Sequence, residues 1–315
     1  MGMSKLRVAV LAGGWSGERA VSLQGGEAVS RALDREKYIV KRFDPRDDLK
    51  DLLRCKDEID LAFILLHGRF GEDGCIQGLL TILGIPFVGS GVLASALALD
   101  KKVAKTIYRS EGLPVAMDRV VRRGEDFSVP EIMEALGPWT VVKPVAEGSS
   151  LGMSVCRSGE ELFAGIQKAF EHGHEVMVEE FVGGREVTCC VLGNRVLQAL
   201  PLVEIVPKAH YRFFDYEAKY TPGATDEICP APLSPEVTER VRSSAMIAHR
   251  ALKCEVWSRT DVMVRGEEIY LLETNTIPGM TANSLFPLAA RAAGMSLSEL
   301  LDTLIGLSLE SANSR

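Results

Sequence analysis

Between Leu6 and Gly89 short apolar runs alternate with amphipathic stretches, and this alternation constrains the fold more than any other feature of the chain. "LRVAVLAGG", "YIVKRFD", "LAFILLHG" and "IPFVG" read as strands, while "VSLQGGEAVSRALDR" and "CIQGLLTILG" read as helices between them. Strands joined through helices favour parallel pairing, so a parallel sheet covered by helices on both faces is expected. The pattern then changes. "SALALDKKVAKTIYRSEG" opens a second unit, which continues through the strand "TVVKPV", the hairpin-like "SLGMSVCRS", the helix "GEELFAGIQKAFEHG" and the strand "EVMVEEFV". A third unit holds the longer strands "REVTCCVLGNRVLQALPLVEIVP" and "RTDVMVRGEEIYLLETN". Between them lies a helix whose apolar positions 237, 241, 245, 248 and 252 follow helical spacing. With 315 residues, 46% hydrophobic and 25% charged, the chain can bury a large core, and its expected class is α/β followed by α+β in three domains, 1–98, 99–182 and 183–315.

Composition removes several classes of function. No apolar run is long enough to span a bilayer, and the N-terminus lacks the apolar stretch of a signal peptide, so a soluble, cytoplasmic protein without a membrane partner is expected. A net charge of -7 with no concentrated basic face argues against nucleic acid. Seven cysteines without a C-x-x-C spacing read as reduced, mostly buried thiols, and His172-Gly173-His174 reads as a solvated helix end.

Four stretches invite chemistry. Gly13-Gly14-Trp15-Ser16-Gly17-Glu18-Arg19 joins the first strand to a helix, where main-chain N–H groups and the helix dipole suit an anion. Glu18, an anion at the same mouth, looks instead like a receptor for a substrate ammonium. Gly89 to Ala94 matches G-x-G-x-x-A, but it follows the last strand of its unit rather than the first, which weakens a nicotinamide-dependent oxidoreductase as the alternative. The stretch "VVKPVAEGSSLGMSVC" ends an apolar strand at Lys143-Pro144 and passes through Glu147-Gly148-Ser149-Ser150. A buried lysine needs an anion, and a loop of glycine, hydroxyls and main-chain donors suits a lid over a polyphosphate. Asp261, Glu273 and Asn275 lie on two strands joined around Gly266. With a three-residue turn, Arg265-Gly266-Glu267, Asp261 would face Leu271 and share a sheet face with Glu273 and Asn275. Such a set of hard oxygen donors suits magnesium shared with phosphates rather than zinc.

With "AGGWSGERAVSLQGG", "LHGRFGEDGCIQGLL", "GSGVLASALALDK", "VVKPVAEGSSLGMS", "VEEFVGGREVT", "FFDYEAKYTPG", "RTDVM" and "YLLETNTIPGMTANSLFP" in this order, the chain resembles the D-alanine:D-alanine ligases of the ATP-grasp superfamily over nearly its whole length. The resemblance implies a three-domain fold with an N-terminal parallel-sheet domain, in which two sheets grasp ATP. It also implies a D-alanyl phosphate intermediate that a second D-alanine attacks, and a homodimer. Lys101 and Lys143 match the lysines on the α- and β-phosphates, and Lys219 the lysine near the γ-phosphoryl. Glu179, Glu180 and Val182 match the linker that reads adenine, and Glu186 the acid on the ribose. Asp261, Glu273 and Asn275 match the ligands of two magnesium ions, with manganese as an alternative. Glu18 matches the carboxylate on the first D-alanine's ammonium, linked through Ser149 to Tyr220. Arg259 and the Gly279 N–H match the oxyanion site, and Ser284 with the Leu285 N–H the grip on the second carboxylate. His67 reads equally as a core histidine or a catalytic one. Tyr220 in "DYEAKY" favours D-alanine over D-lactate, because relatives that accept D-lactate lack it. Intact Glu18, Ser149, Tyr220 and Arg259 weigh against a non-catalytic nucleotide sensor.

Overall fold

The computed structural model describes residues 5–148, 151–208, 225–281 and 283–312. Among them the strands form three sheets. Strands β1 (Leu6–Leu11), β2 (Tyr38–Phe43), β3 (Leu61–Ile64) and β4 (Phe87–Val88) pair in parallel in the order β2-β1-β3-β4, as the alternation requires. Helices α1 (Arg19–Ala32), α2 (Pro45–Arg54) and α3 (Cys75–Ile82) lie in the connections. Helix α2 is additional to the helices read from periodicity. Its start is nevertheless written locally, with Pro45 in the first turn and the Asp44 carboxylate accepting the Arg46 N–H at 3.1 Å.

Asp44 also corrects the reading of the glycine turn after β1. Its carboxylate accepts the Gly14 N–H at 2.8 Å and pairs with Arg19 at 2.5 Å, while the Gly13 N–H goes to Ser22 Oγ at 2.7 Å. The anion suited to that turn is thus a side chain of the protein itself. Gly13 has φ +102° and a Cβ there would lie 2.2 Å from Asp44 Oδ2, so both conformation and space demand glycine.

The second sheet has the order β5-β8-β6-β7, with β5 (Asp118–Arg122), β6 (Thr140–Pro144), β7 (Ser154–Cys156) and β8 (Glu175–Glu180) antiparallel. Helices α6 (Val129–Leu136) and α7 (Gly159–Phe170) bury Ile132, Leu136, Leu162 and Ile166 against its Val142 and Val178. The third sheet runs β12-β11-β9-β13-β14, built from β9 (Arg185–Leu192), β11 (Val203–Pro207), β12 (Thr225–Ile228), β13 (Trp257–Arg265) and β14 (Glu268–Asn275), with β10 (Gln198–Ala199) on β9. Helix α8 (Pro235–Ala251) supplies Val237, Val241, Ala245 and Ala248 to that sheet's core, and Leu252 follows at its end, which are the five positions read from helical spacing.

"SALALDKKVAKTIYRSEG" forms two helices rather than one. Asp100 ends α4 (Val92–Leu99) and caps α5 (Lys101–Ser110) by accepting the Val103 N–H at 3.0 Å. Although α5 leads into the second sheet, it packs on the third, where Ala104 and Tyr108 are buried and the Tyr108 hydroxyl donates to Thr274 Oγ1 at 2.7 Å. Helices α9 (Leu285–Ala292) and α10 (Leu297–Ala312) join the N-terminal sheet to the third sheet through one shared core. Trp257, wholly buried on β13, meets Phe63 of β3 and Phe286 of α9 edge-on, at ring distances of 6.2 and 5.2 Å. Gly89, at the G-x-G-x-x-A stretch, lies against the Trp257 ring, and Ser90 Oγ accepts the Glu255 N–H at 3.1 Å. The start of this stretch is thus spent on packing against the C-terminal part of the chain.

The link between the second and third sheets is tight. A Cβ at Gly184 would lie 2.2 Å from the Val264 carbonyl oxygen, a backbone atom that cannot swing away. Gly184→Ala is expected to cost roughly 1–3 kcal/mol of stability, measured by chemical denaturation; an unchanged unfolding midpoint would contradict this packing.

Candidate active site

The hairpin β13–β14 sets the geometry, and its register differs from the one expected. Arg265 pairs with Glu268, so the turn is the two-residue Gly266-Glu267, with Gly266 at φ +62°. A bulge opposite the Asp261–Val262 step then absorbs Leu272, and Asp261 pairs with Glu273 rather than facing Leu271. Arg259 pairs with Asn275 two residues back. Since alternate residues share a face, Arg259, Asp261, Glu273 and Asn275 all project to one side of the sheet. Asp261, 5% exposed, accepts Thr188 Oγ1–H at 2.6 Å and receives the Arg259 guanidinium in two bonds of 3.0 and 2.8 Å. Burial works against the charge of Arg259, but the Asp261 carboxylate more than offsets it and raises the arginine's pKa above its ordinary value.

Facing this hairpin, the second sheet contributes the other wall. Lys143 on β6 and Glu179 on β8 are diagonal neighbours on one sheet face, with Lys143 opposite Met177 and Val141 opposite Glu179. They make an ion pair of 2.9 Å. Lys101, at the start of α5, donates to the Glu147 carbonyl at 2.6 Å and lies 3.3 Å from Glu273 Oε2. Glu180 Oε1 accepts the Met117 N–H at 2.8 Å. Lys101, Lys143, Glu179, Glu180, Val182, Glu186, Asp261 and Glu273 all line one cleft, whose empty space is about 930 Å³ counting its open mouth. Apolar side chains, among them Val141, Met153, Met263 and Leu272, cover its inner surface.

A second group of predicted residues gathers beside the cleft. Glu18, 6% exposed, precedes α1, and its Oε2 would lie 3.1 Å from a Cβ at Gly148 and 4.0 Å from one at Gly68. His67 is buried; burial lowers its pKa, which the Arg259 charge reinforces and Glu18 opposes, so its imidazole is neutral near pH 7. Gly279 lies against Ser284: a Cβ there would approach Ser284 Oγ to 2.9 Å. Ser284 Oγ accepts the Thr281 N–H at 3.0 Å and occupies the N-cap of α9, so the Leu285 N–H opens that helix. A Cβ at Gly25 of α1 would lie 3.9 Å from the Met280 backbone nitrogen, so this helix passes close to the residue after Gly279. Ser149, Lys219 and Tyr220 lie outside the described residues.

Two buried groups were not singled out from sequence. Lys105, fully buried on α5, pairs with Glu179 at 2.5 Å. Glu72, in "GRFGEDG" and 7% exposed, accepts the Gly68 N–H at 2.7 Å. Burial, and then the nearby Glu18 carboxylate, push the Glu72 carboxyl up to about 8, so it carries a proton at neutral pH. An unfolded chain would release that proton near 4.5. The folded state therefore binds the extra proton between these values, and the residue's stabilising contribution falls as pH rises through that window. Glu72→Gln keeps an acceptor for Gly68 but cannot ionise, so it should raise the thermal unfolding midpoint more at pH 8 than at pH 5.5. Equal shifts at the two pH values would sink this assignment.

The cysteines differ in part from expectation. None is paired; Cys156, Cys189, Cys190 and Cys254 are buried, Cys55 and Cys229 half-buried, and Cys75 exposed at the start of α3. Among the described residues no single helix is long and apolar enough to cross a membrane.

A parallel-sheet unit beside two antiparallel sheets that close on a cleft lined by buried lysines and acids is the ATP-grasp architecture. Comparison with known proteins narrows it: family models described as D-ala D-ala ligase C-terminus and N-terminus match residues 107–306 and 43–90. The D-alanine--D-alanine ligase of Syntrophobacter fumaroxidans is 53% identical over 98% of this chain and 100% of its own length. The crystal structure of the Bacillus anthracis D-alanine--D-alanine ligase complexed with ATP superposes with a TM-score of 0.87 at 35% identity, covering 98% of this chain and 99% of that one. The VanG D-Ala:D-Ser ligase of Enterococcus faecalis gives 0.82 at 32% identity over 97% and 100% of the two chains. The chain belongs to the D-alanine–D-alanine ligase family.

Proposed function

We propose that this chain joins two D-alanine molecules into D-alanyl-D-alanine, a peptidoglycan precursor, with ATP converted to ADP and phosphate. The observation that carries the reading is the convergence, in one cleft, of Lys101 and Lys143 with the directly opposed Asp261 and Glu273. Two ammonium groups and two carboxylates around an apolar slot suit a polyphosphate with its divalent ions and a base.

In this reading Glu179, Glu180 and Val182 meet adenine and Glu186 the ribose. Glu180 spends its carboxylate on the Met117 N–H, so recognition there uses the main chain. Lys143 leaves Glu179 for a phosphate oxygen, Lys101 serves the adjacent phosphate, and Lys219 from the loop serves the γ-phosphoryl. The donor set fits magnesium: two carboxylates and an amide oxygen on one face, with no histidine or thiolate among them. Asp261, Glu273 and Asn275 would hold two magnesium ions, or manganese, which neutralise charge on the transferring phosphoryl group. Asp261 must then share its oxygens with Arg259 or release it.

Forming a peptide bond in water is uphill, so the first D-alanine's carboxylate is activated by phosphoryl transfer and the second amine attacks the acyl phosphate. Glu18 holds the first ammonium, with Ser149 and Tyr220 extending the contact. Arg259 and the Gly279 N–H receive the oxyanion, and Ser284 with the Leu285 N–H receives the second carboxylate at a helix start. The neutral His67 imidazole lies beside Glu18 as a hydrogen-bonding partner for substrate. The three-unit division at 98 and 182 belongs to this reading, as does a cytoplasmic location, where ATP is available. A homodimer is proposed on the exposed Ile82, Val92 and Leu93 of the N-terminal unit, and light scattering tests it. Phosphate release with D-alanine, L-alanine, D-serine and D-lactate side by side tests the reaction. D-Alanine is expected to be strongly preferred and withdrawal of magnesium to abolish turnover; release independent of D-alanine would overturn the reading.

A further inference from the structure

Helix α5 carries two buried lysines one turn apart, and the reaction as described uses one of them. Lys101 points to the phosphate end of the cleft. Lys105 is wholly buried, and its ammonium meets Glu179 Oε1 at 2.5 Å, the Ala116 carbonyl at 3.2 Å and Asp118 Oδ1 at 3.7 Å. Its two hydrogen bonds and the nearby Asp118 carboxylate tie it to the protein, and it is not among the residues that line the cleft. Burying such a charge is costly, and replacing the Lys105–Glu179 pair as a whole by apolar residues would serve stability at least as well. Its position therefore calls for a reason beyond packing.

The reason lies in what Glu179 faces when a nucleotide binds. Lys143 and Lys105 both contact the same oxygen, Oε1, at 2.9 and 2.5 Å, which leaves Oε2 outside both ion pairs on a residue that lines the cleft. Once a phosphate draws Lys143 away, one cation remains beside a carboxylate that is 3% exposed. We propose that Lys105 is a positioning residue for base selection: it stays with Glu179 and keeps its carboxylate as an obligate acceptor, matched to the exocyclic amine of adenine and mismatched to a 6-oxo purine. This rests on the reading of the cleft as an ATP site. Burial alone would raise the pKa of Glu179, and the two lysines together bring it below its ordinary value. Without Lys105, nucleotide binding would leave the buried acid without its remaining counter-ion, and it would take up a proton. A protonated carboxyl can donate to a purine O6, so discrimination between amino and oxo groups would relax.

The test compares ATP with inosine triphosphate, which differs at that position in the base, by phosphate release with D-alanine at saturation. For Lys105→Met the ratio of kcat/KM for ATP over inosine triphosphate should fall about tenfold or more, the size of a hydrogen bond to a charged group, with the loss in KM for ATP rather than in kcat. Lys105→Arg, which restores the cation, should keep the ratio near that of the unmodified enzyme. Where Lys105→Met folds poorly, calorimetric titration of Glu179→Gln with both nucleotides gives the second measurement, and the same relaxed ratio is expected. A ratio unchanged in folded Lys105→Met, whatever Glu179→Gln does, or unchanged in Glu179→Gln, would overturn the proposal. An unmodified enzyme that releases no phosphate with ATP and D-alanine would instead overturn the function on which it rests.

Discussion

Arg259→Ala is expected to lower turnover by about 100- to 1,000-fold while leaving the KM for ATP within a few-fold, the pattern for loss of a preorganised oxyanion donor. The guanidinium is positioned in the site by two bonds to Asp261 before any substrate arrives. Its removal also strips a buried carboxylate of a cation, so some loss of stability should accompany the kinetic defect. Arg259→Lys separates the two effects: one ammonium can stay near Asp261 but cannot span both of its oxygens, so stability should recover more than turnover. Steady-state kinetics and thermal unfolding on both variants give the readout. Near-normal dipeptide formation by Arg259→Ala would remove this residue from the reaction.

Glu18→Gln should lower kcat/KM for D-alanine by about 100-fold, in line with breaking a desolvated ion pair, with ATP binding preserved. The variant keeps the shape and hydrogen-bonding capacity of a side chain that is 6% exposed, so the lost charge is the variable tested. Loss confined to the KM for ATP would place Glu18 outside the amino-acid site.

Much of this was legible in the amino-acid order because the signals were local. The parallel unit follows from alternating runs, α8 from five apolar positions at helical spacing, and Lys143 from its place at the end of a buried strand. Helix α2 was written just as locally, in Asp44, Pro45 and a basic last turn, but its few apolar residues hide it from a search by periodicity. Other features were not legible for a physical reason. The partnership of Lys105 with Glu179 spans 74 residues and depends on α5 crossing from one sheet to another. The β13–β14 register could not be read from Gly266 alone, because a bulge adds a residue at a point where "YLLETN" shows nothing unusual. Glu72 stands in a glycine-rich loop with no local sign of burial; its protonation is a product of tertiary burial.

The displaced residue at Leu272 also separates two parts of the hairpin mechanically. On one side lie the Gly266 tip and its cross-strand partners; on the other, Asp261 and Glu273 are locked because β13 is held along its far edge by eight successive pairings with β9. Insertions or deletions at the tip can therefore be taken up by sliding the outer strand at its irregularity, which leaves the acids opposed. The tip is thus the part of this hairpin free to drift in length and sequence, whereas one residue gained or lost between Leu272 and Glu273 would turn the Glu273 carboxylate to the side of the sheet away from Asp261.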